Sequence, residues 1–303
     1  MAFSDPTAAY TAADLASMIP EVWTPIVNEA NFPKAVAANF FTDLSAFAAD
    51  GGDRFHVPDI YTNVFTASTQ STQGNAVVDQ SPASVDVYLD VDIHKYVAWI
   101  IGKKDMKQLA TKYVLNEKYA REAKNVLTVA LEDSIFGLWS SLSTNVVGDT
   151  ATVVTDNEIV SSIEALDSLD YDMEMTAFFF HPFVFWRQVS NISKYYTWNT
   201  SQLPIIRDGN FGPMDKSRGL RGQIYGQPIY VSTRVVSGLS TYRNLFAHSS
   251  ALGFAIQDGI GVDAQYLLQN LGTLTVADII YGVAVLREEA AVLLNANETA
   301  ITS

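Results

Sequence analysis

The chain has 303 residues, of which 48% are apolar and 17% charged, a composition that belongs to a folded protein and excludes a disordered one. Its net charge of −14 excludes a general nucleic-acid binder, because phosphates repel such a surface as a whole. There is no cysteine, so disulfides and thiolate metal sites are excluded, and a reducing compartment such as the bacterial cytoplasm is expected.

The first twenty residues carry Asp5 and Asp14 and no basic residue, so no secretory signal is expected. No apolar run approaches the roughly 20 residues of a membrane span, and the protein is expected to be soluble. Residues 1–50 hold short apolar groups, Val22-Trp23 and Phe40-Phe41, among prolines at 6, 20, 25 and 33 that break any long helix. They read as an extended arm with short helical pieces, whose aromatics need a surface to pack on, such as another subunit.

From Gly51 the pattern turns to strands. Val85, Val87, Leu89, Val91 and Ile93 alternate with polar residues from Ser84 to His94, which predicts one strand with a wet face. Phe55 and Val57 begin its partner, and the polar stretch Thr66 to Pro82 lies between them. This is a long β-hairpin with a flexible tip, and an isolated two-stranded ribbon is marginal in water.

The longest helix signal follows. Met106, Leu109, Tyr113, Ala120, Ala123, Leu127, Leu131 and Leu138 recur at helical spacing between Asp105 and Leu142. A helix of that length spans about 55 Å. At about 100° per residue, Lys103, Lys104, Lys107, Lys118 and Arg121 gather on one side, opposite the apolar stripe. Two readings stay open: a solvated helix face, or a cationic stripe facing nucleic acid or an acidic partner.

Beyond it, Asp156 to Leu169 predicts a second amphipathic helix, and Met175 to Phe180 a short strand closed by His181-Pro182 and followed by a helix. Trp198 to Arg221 is loop-like, Gly226-Gln-Pro228 is a turn, and Ile229 to Ser232 is a strand. Tyr281 to Leu294 reads as one buried closing strand.

Signals for catalysis are weak. His56, His94, His181 and His248 form no HxH, HxxxH or HExxH pair, and there is no GxSxG elbow. Gly259-Ile-Gly261 lacks the rest of a phosphate-binding loop. Asp167, Asp170, Asp172 and Glu174 are a solvated loop or a cation site without the glycine and glutamate of an EF-hand. Arg207, Lys216, Arg218 and Arg221 are a solvated loop or a subunit contact. No catalytic residue, cofactor or metal ligand is assigned, and no enzyme is expected; a carbohydrate-active enzyme using paired carboxylates is a minor alternative.

The order of parts carries more than any motif. Gly219 to Val236 (GLRGQIYGQPIYVSTRVV), Leu245 to Gly259 (LFAHSSALGFAIQDG) and Tyr281 to Leu294 (YGVAVLREEAAVLL, with Arg287 before the last apolar run) resemble segments of tailed-bacteriophage major capsid proteins. The resemblance implies an α+β fold, the phage capsid or Johnson fold. In that fold residues 1–50 are an N-terminal arm and 51–101 an extended loop that lies across a neighbour. Residues 102–149 form a peripheral domain with its spine helix, 150–262 an axial domain, and 263–303 the rest of the peripheral domain with the C-terminal strand. It further implies an icosahedral shell around double-stranded DNA, assembled in the host bacterial cytoplasm and located in the virion. The implied partners are copies of itself in hexamers and pentamers, a separate scaffolding protein, a portal and a decoration protein. Packaged DNA would be contacted non-specifically at the inner face. Arg54 is the only cation between Gly51 and His94, so lysine cross-linking through the extended loop is not expected. An encapsulin-like nanocompartment shell of the same fold is the nearest alternative.

Overall fold

The computed structural model describes residues 35–48, 51–60, 67, 84–108, 115–192, 220–238 and 241–298. Two sheets and a separate hairpin organise them. A four-stranded sheet has the order β1-β10-β11-β4: β1 Thr42–Asp43, β10 Leu252–Leu267, β11 Gly272–Val285 and β4 Ile93–Gly102. A six-stranded sheet has the order β5-β12-β9-β6-β8-β7: β5 Val146–Val147, β12 Ala291–Asn297, β9 Thr241–His248, β6 Thr176–Phe180, β8 Gln227–Val231 and β7 Leu220–Ile224. The hairpin pairs β2 Arg54–Ile60 with β3 Ser84–Asp90.

β6 shows why its sequence is apolar without alternation: it lies between β9 and β8, and all five residues are buried. Ala177 and Phe179 face one core with Trp139, Leu245, Leu293 and Tyr281; Phe178 and Phe180 face a second with Ile159, Val184, Phe246 and Val292. The first core lies under the long helix, the second under α4 (Asp156–Asp167) and α5 (Pro182–Arg187). α4 begins where expected, the Glu158 carboxylate accepting the N–H of Thr155 at 2.6 Å. His181 caps α5, its Nδ1 accepting the N–H of Phe183 at 3.2 Å, with Pro182 at the first helical position.

Several expectations change. The long helix is described as α2, Lys103–Gln108, and α3, Leu115–Gly137, with residues 109–114 outside the described ones. α3 alone spans about 35 Å, and Leu138–Ser141 continues it as a 3₁₀ turn. Of its predicted apolar stripe, Ala123, Leu127 and Leu131 are buried, with Ile135 beside them, in one core with Ala277, Ile279 and Tyr281 of β11, while Ala120 and Leu138 are half-buried. The strand predicted across Ser84 to His94 divides at Val91-Asp92, and Ile93–Gly102 pairs with β11 instead of continuing the hairpin. The closing strand predicted for Tyr281 to Leu294 is two strands in different sheets, β11 and β12, because Arg287-Glu288-Glu289 interrupts the apolar run with a 3₁₀ turn, Glu288–Ala290. The chain also changes sheets between β9 and β10, and the two crossings are joined. The N–H groups of Leu286 and Arg287 both donate to the Ala251 carbonyl, at 2.9 and 3.0 Å. The turn expected at Gly226-Gln-Pro228 falls one residue earlier, at Tyr225-Gly226, where both φ angles are positive (50° and 86°), as a two-residue hairpin turn requires.

Phe40 and Phe41, expected to need an outside surface, have one in their own chain. Their rings lie 5.2 and 5.4 Å from that of Phe179, and Phe41 is buried. Val22-Trp23 and almost all of the polar hairpin tip, Thr66 to Pro82, lie outside the described residues.

Candidate functional site

The described residues present surfaces for contact, and three of them deserve a residue-level account. The first is the hairpin and its root. Arg54 lies opposite Asp90 in the ladder, and its Nε and Nη2 donate to the two carboxylate oxygens at 2.5 and 2.9 Å. That fork holds the Asp90 carboxyl below its ordinary range and the Arg54 guanidinium above its own. The guanidinium also stands 5.2 Å from the centre of the Tyr88 ring, whose other neighbour is His56, 4.9 Å away. Below, Leu89 and Val91 are buried in a small core with Ala48 and Ala255, against which Phe55, Ile280 and Ala284 pack. Gly282 of β11 lies so close under the root that a Cβ there would stand 2.1 Å from the Asp90 carbonyl oxygen. The hairpin is therefore seated at its base on β11.

The second surface is the outer face of the four-stranded sheet. Register places His94, Tyr96, Ala98 and Ile100 of β4 opposite Ile280, Asp278, Val276 and Leu274 of β11. Tyr96 is 68% exposed and Ile100 48%, an uncovered apolar stripe. His94 Nε2 and Asp278 Oδ2 pair across it at 3.0 Å. At the far end, the turn between β10 and β11 holds out Leu268 and Leu271, 79% and 63% exposed. Leu271 has a φ of 46°, a conformation that side chains disfavour.

The third surface is the cationic one. Lys103, Lys104 and Lys107 are exposed on α2; Arg121 is exposed and Lys118 half-buried on α3, and Lys124 joins them.

The other candidates do not converge. Among the described residues no three of His, Asp and Glu stand close enough to share a metal ion. Asp172 accepts the N–H of Glu174 at 3.0 Å, and Asp170 occupies a turn with φ 58°. His181 stacks on Tyr242 at 4.4 Å and His248 Nδ1 meets Ser250 Oγ at 2.8 Å; burial pushes both imidazoles down. His56 and His94 sit on the hairpin and the sheet face, apart from these two. Gly259 and Gly261 are strand residues of β10 at a register shift. Arg221 is exposed on β7, while Arg207, Lys216 and Arg218 lie outside the described residues.

Residues that bind these parts together carried no motif. Gly282 seats the hairpin. Glu132 and Glu288 serve as acceptors for distant backbone: Glu288 takes the N–H groups of Ser143 and Thr144 at 2.7 and 2.9 Å. No repeating pattern marks such residues, because their partners are about 95 and 145 positions away in the chain.

The chain is a mixed α+β structure, and its fold is similar to that of chains in phage capsids. No family model and no curated protein matches the sequence. Solved structures do match. The capsid of cyanophage P-SCSP1u matches with 12% identity and a TM-score of 0.70, over 92% of this chain and 93% of that one. The mature capsid of bacteriophage PhiM1 matches with 13% identity and a TM-score of 0.69, over 96% of each chain. A chain of Mycobacterium phage Che8 matches with 20% identity and a TM-score of 0.70, over 93% of this chain and 98% of that one. At such identities the likeness is one of fold.

Proposed function

We propose that this chain is the major capsid protein of a tailed bacteriophage, which assembles with copies of itself into an icosahedral shell around double-stranded DNA. The observation that carries the reading is end-to-end likeness to a mature phage capsid, over 96% of both chains. The fold is shared whole, with no large part of either chain left to perform another task. The role is structural and the chain's place is the virion.

In this reading residues 1–50 are the arm and 51–101 the extended loop, whose last strand, β4, is also the edge of the four-stranded sheet. Residues 102–149, with α3 as the spine, belong to the peripheral domain with the β10–β11 ribbon. The axial domain is the six-stranded sheet, including β12 from the end of the chain. Strand β10 runs unbroken through residue 262, so the division between the two domains is better drawn at the sheet crossings near Ala251 and Arg287. The exposed stripe of Tyr96 and Ile100 and the tip leucines suit burial between copies in hexamers and pentamers, where each contact can be weak because many form together. Lys103, Lys104, Lys107, Lys118 and Arg121 suit non-specific phosphate contact at the inner face. A scaffolding protein, a portal and a decoration protein complete the expected partners.

Expression of the chain alone and with a scaffolding protein, followed by electron microscopy, tests the reading. Closed shells are expected. A chain that stays monomeric in every condition refutes it, and shells that enclose an enzyme instead of DNA convert it to a nanocompartment.

A further inference from the structure

Glu132 lies within α3 and is 2% exposed. A carboxylate so deeply buried is stable only where its oxygens are bonded. Both are bonded to one segment: Oε2 accepts the N–H of Ala37 at 3.0 Å and Oε1 that of Ala38 at 2.8 Å. These donors open a turn in which the N–H groups of Phe40 and Phe41 both return to the Ala37 carbonyl, at 3.0 Å. No side chain from Ala35 to Phe41 is ionisable, so the charged contact is made by backbone alone.

From this pin the segment 35–48 runs as a strap across the subunit. Phe40 and Phe41 meet Phe179 of β6, and Phe40 also meets Tyr230 of β8 at 6.0 Å. Thr42 and Asp43 then pair in parallel with Gly253 and Phe254 of β10, and Ser45 Oγ accepts the N–H of Ile256 at 2.9 Å. The strap thus touches the spine helix, the six-stranded sheet and the four-stranded sheet in turn. Apolar rings can slide along a surface, whereas two directed hydrogen bonds admit one register. A hydrophobic residue in place of Glu132 would leave the Ala37 and Ala38 N–H groups without an acceptor, so the carboxylate is what ties this register to the helix.

We propose that Glu132 is the positioning residue of the strap: its two hydrogen bonds fix the register in which residues 35–48 cross the spine helix and both sheets, and so hold the subunit in the one shape that closes shells. The shell rests on the capsid reading; the seat does not.

The test uses full-length subunits and amide hydrogen exchange, followed by microscopy of assembled material. In Glu132→Gln the side chain keeps one acceptor and turns an amide NH₂ toward an N–H donor. Exchange at residues 36–38 is expected to rise roughly tenfold or more, the loss of a charge-assisted hydrogen bond, while β6 and β11 keep their protection. Assembly is expected to change from uniform closed shells to open or mixed products. Phe40→Ala loosens the strap from the opposite side without touching a charge, and decides the matter if Glu132→Gln does not fold; the same local exchange and the same mixed products are expected. Unchanged exchange at 36–38 overturns the seat. Raised exchange with wild-type shells overturns the strap's control of shell closure. A wild-type chain that never assembles counts against the capsid reading alone, because the exchange result is obtained on subunits.

Discussion

Replacing Gly282 by alanine asks whether the hairpin root truly rests on β11. The added Cβ would stand 2.1 Å from the Asp90 carbonyl oxygen, 2.9 Å from its carbon and 3.0 Å from Leu89 Cδ2. A carbon and a carbonyl oxygen approach no closer than about 3.3 Å, so the root must lift by about 1.2 Å. A backbone oxygen cannot rotate out of the way as a side chain could. The lift unseats Leu89, which is fully buried, and Val91 beside it. Overpacking of this kind costs about 1–3 kcal/mol, read as a lower urea midpoint of the subunit. The hairpin pivots at the root, so its far end moves further than its base, and closed shells are expected to become scarce. Gly259→Ala is the control: a Cβ there meets nothing within 4 Å, and stability is expected to be unchanged or slightly raised. Equal urea midpoints and normal shells for Gly282→Ala would refute the seated root.

Three further outcomes are expected. Phe179→Ala removes the ring shared by Phe40, Phe41, Trp139 and Tyr230, and urea unfolding should show a loss of about 3–5 kcal/mol. Leu268→Ser with Leu271→Asn removes the exposed apolar tip and eases the positive φ at 271. Subunit stability should hold or rise by about 1 kcal/mol, while light scattering shows a higher subunit concentration needed for assembly. Two carboxylates should oppose each other in pH dependence. The N–H of Ser143, with Thr144, holds the Glu288 carboxyl below its usual range. Its stabilisation is therefore present above the ordinary carboxylate range and lost as pH falls through the lowered value. Burial pushes the Glu132 carboxyl up against the pull of its backbone donors, so its contribution is present at low pH and lost as pH rises through the raised value. Urea midpoints against pH should lose the acid-side slope in Glu288→Gln, a small effect at this exposed site. They should lose the opposite slope in Glu132→Gln.

Much was legible in the sequence wherever a short-range rule governs structure. The helix expected from Asp156 does begin there, Pro182 announced the start of α5, and the four-residue spacing of Ala123, Leu127 and Leu131 the buried side of α3, whereas the Thr155–Glu158 cap and Ile135 went unread. The alternation from Val85 to Leu89 gave away a strand, and the apolar run to Phe180 a second, which the structure buries on both faces. Each of these is a local periodicity or a cap, whose energy is set within a turn or two of chain.

Only the tertiary structure decided which strands pair and where surfaces end. Alternation says that Val91 and Ile93 are apolar, but not that the hairpin stops between them and the chain enters another sheet. The same limit hid the change of sheet at Arg287 and the intramolecular home of Phe40 and Phe41. Pairing energy depends on partners far away in the chain, Glu132 with Ala37 or Gly282 with Asp90, and no window of sequence contains both. The residues that hold the arm and the hairpin in place are for that reason the ones composition and motif left unmarked.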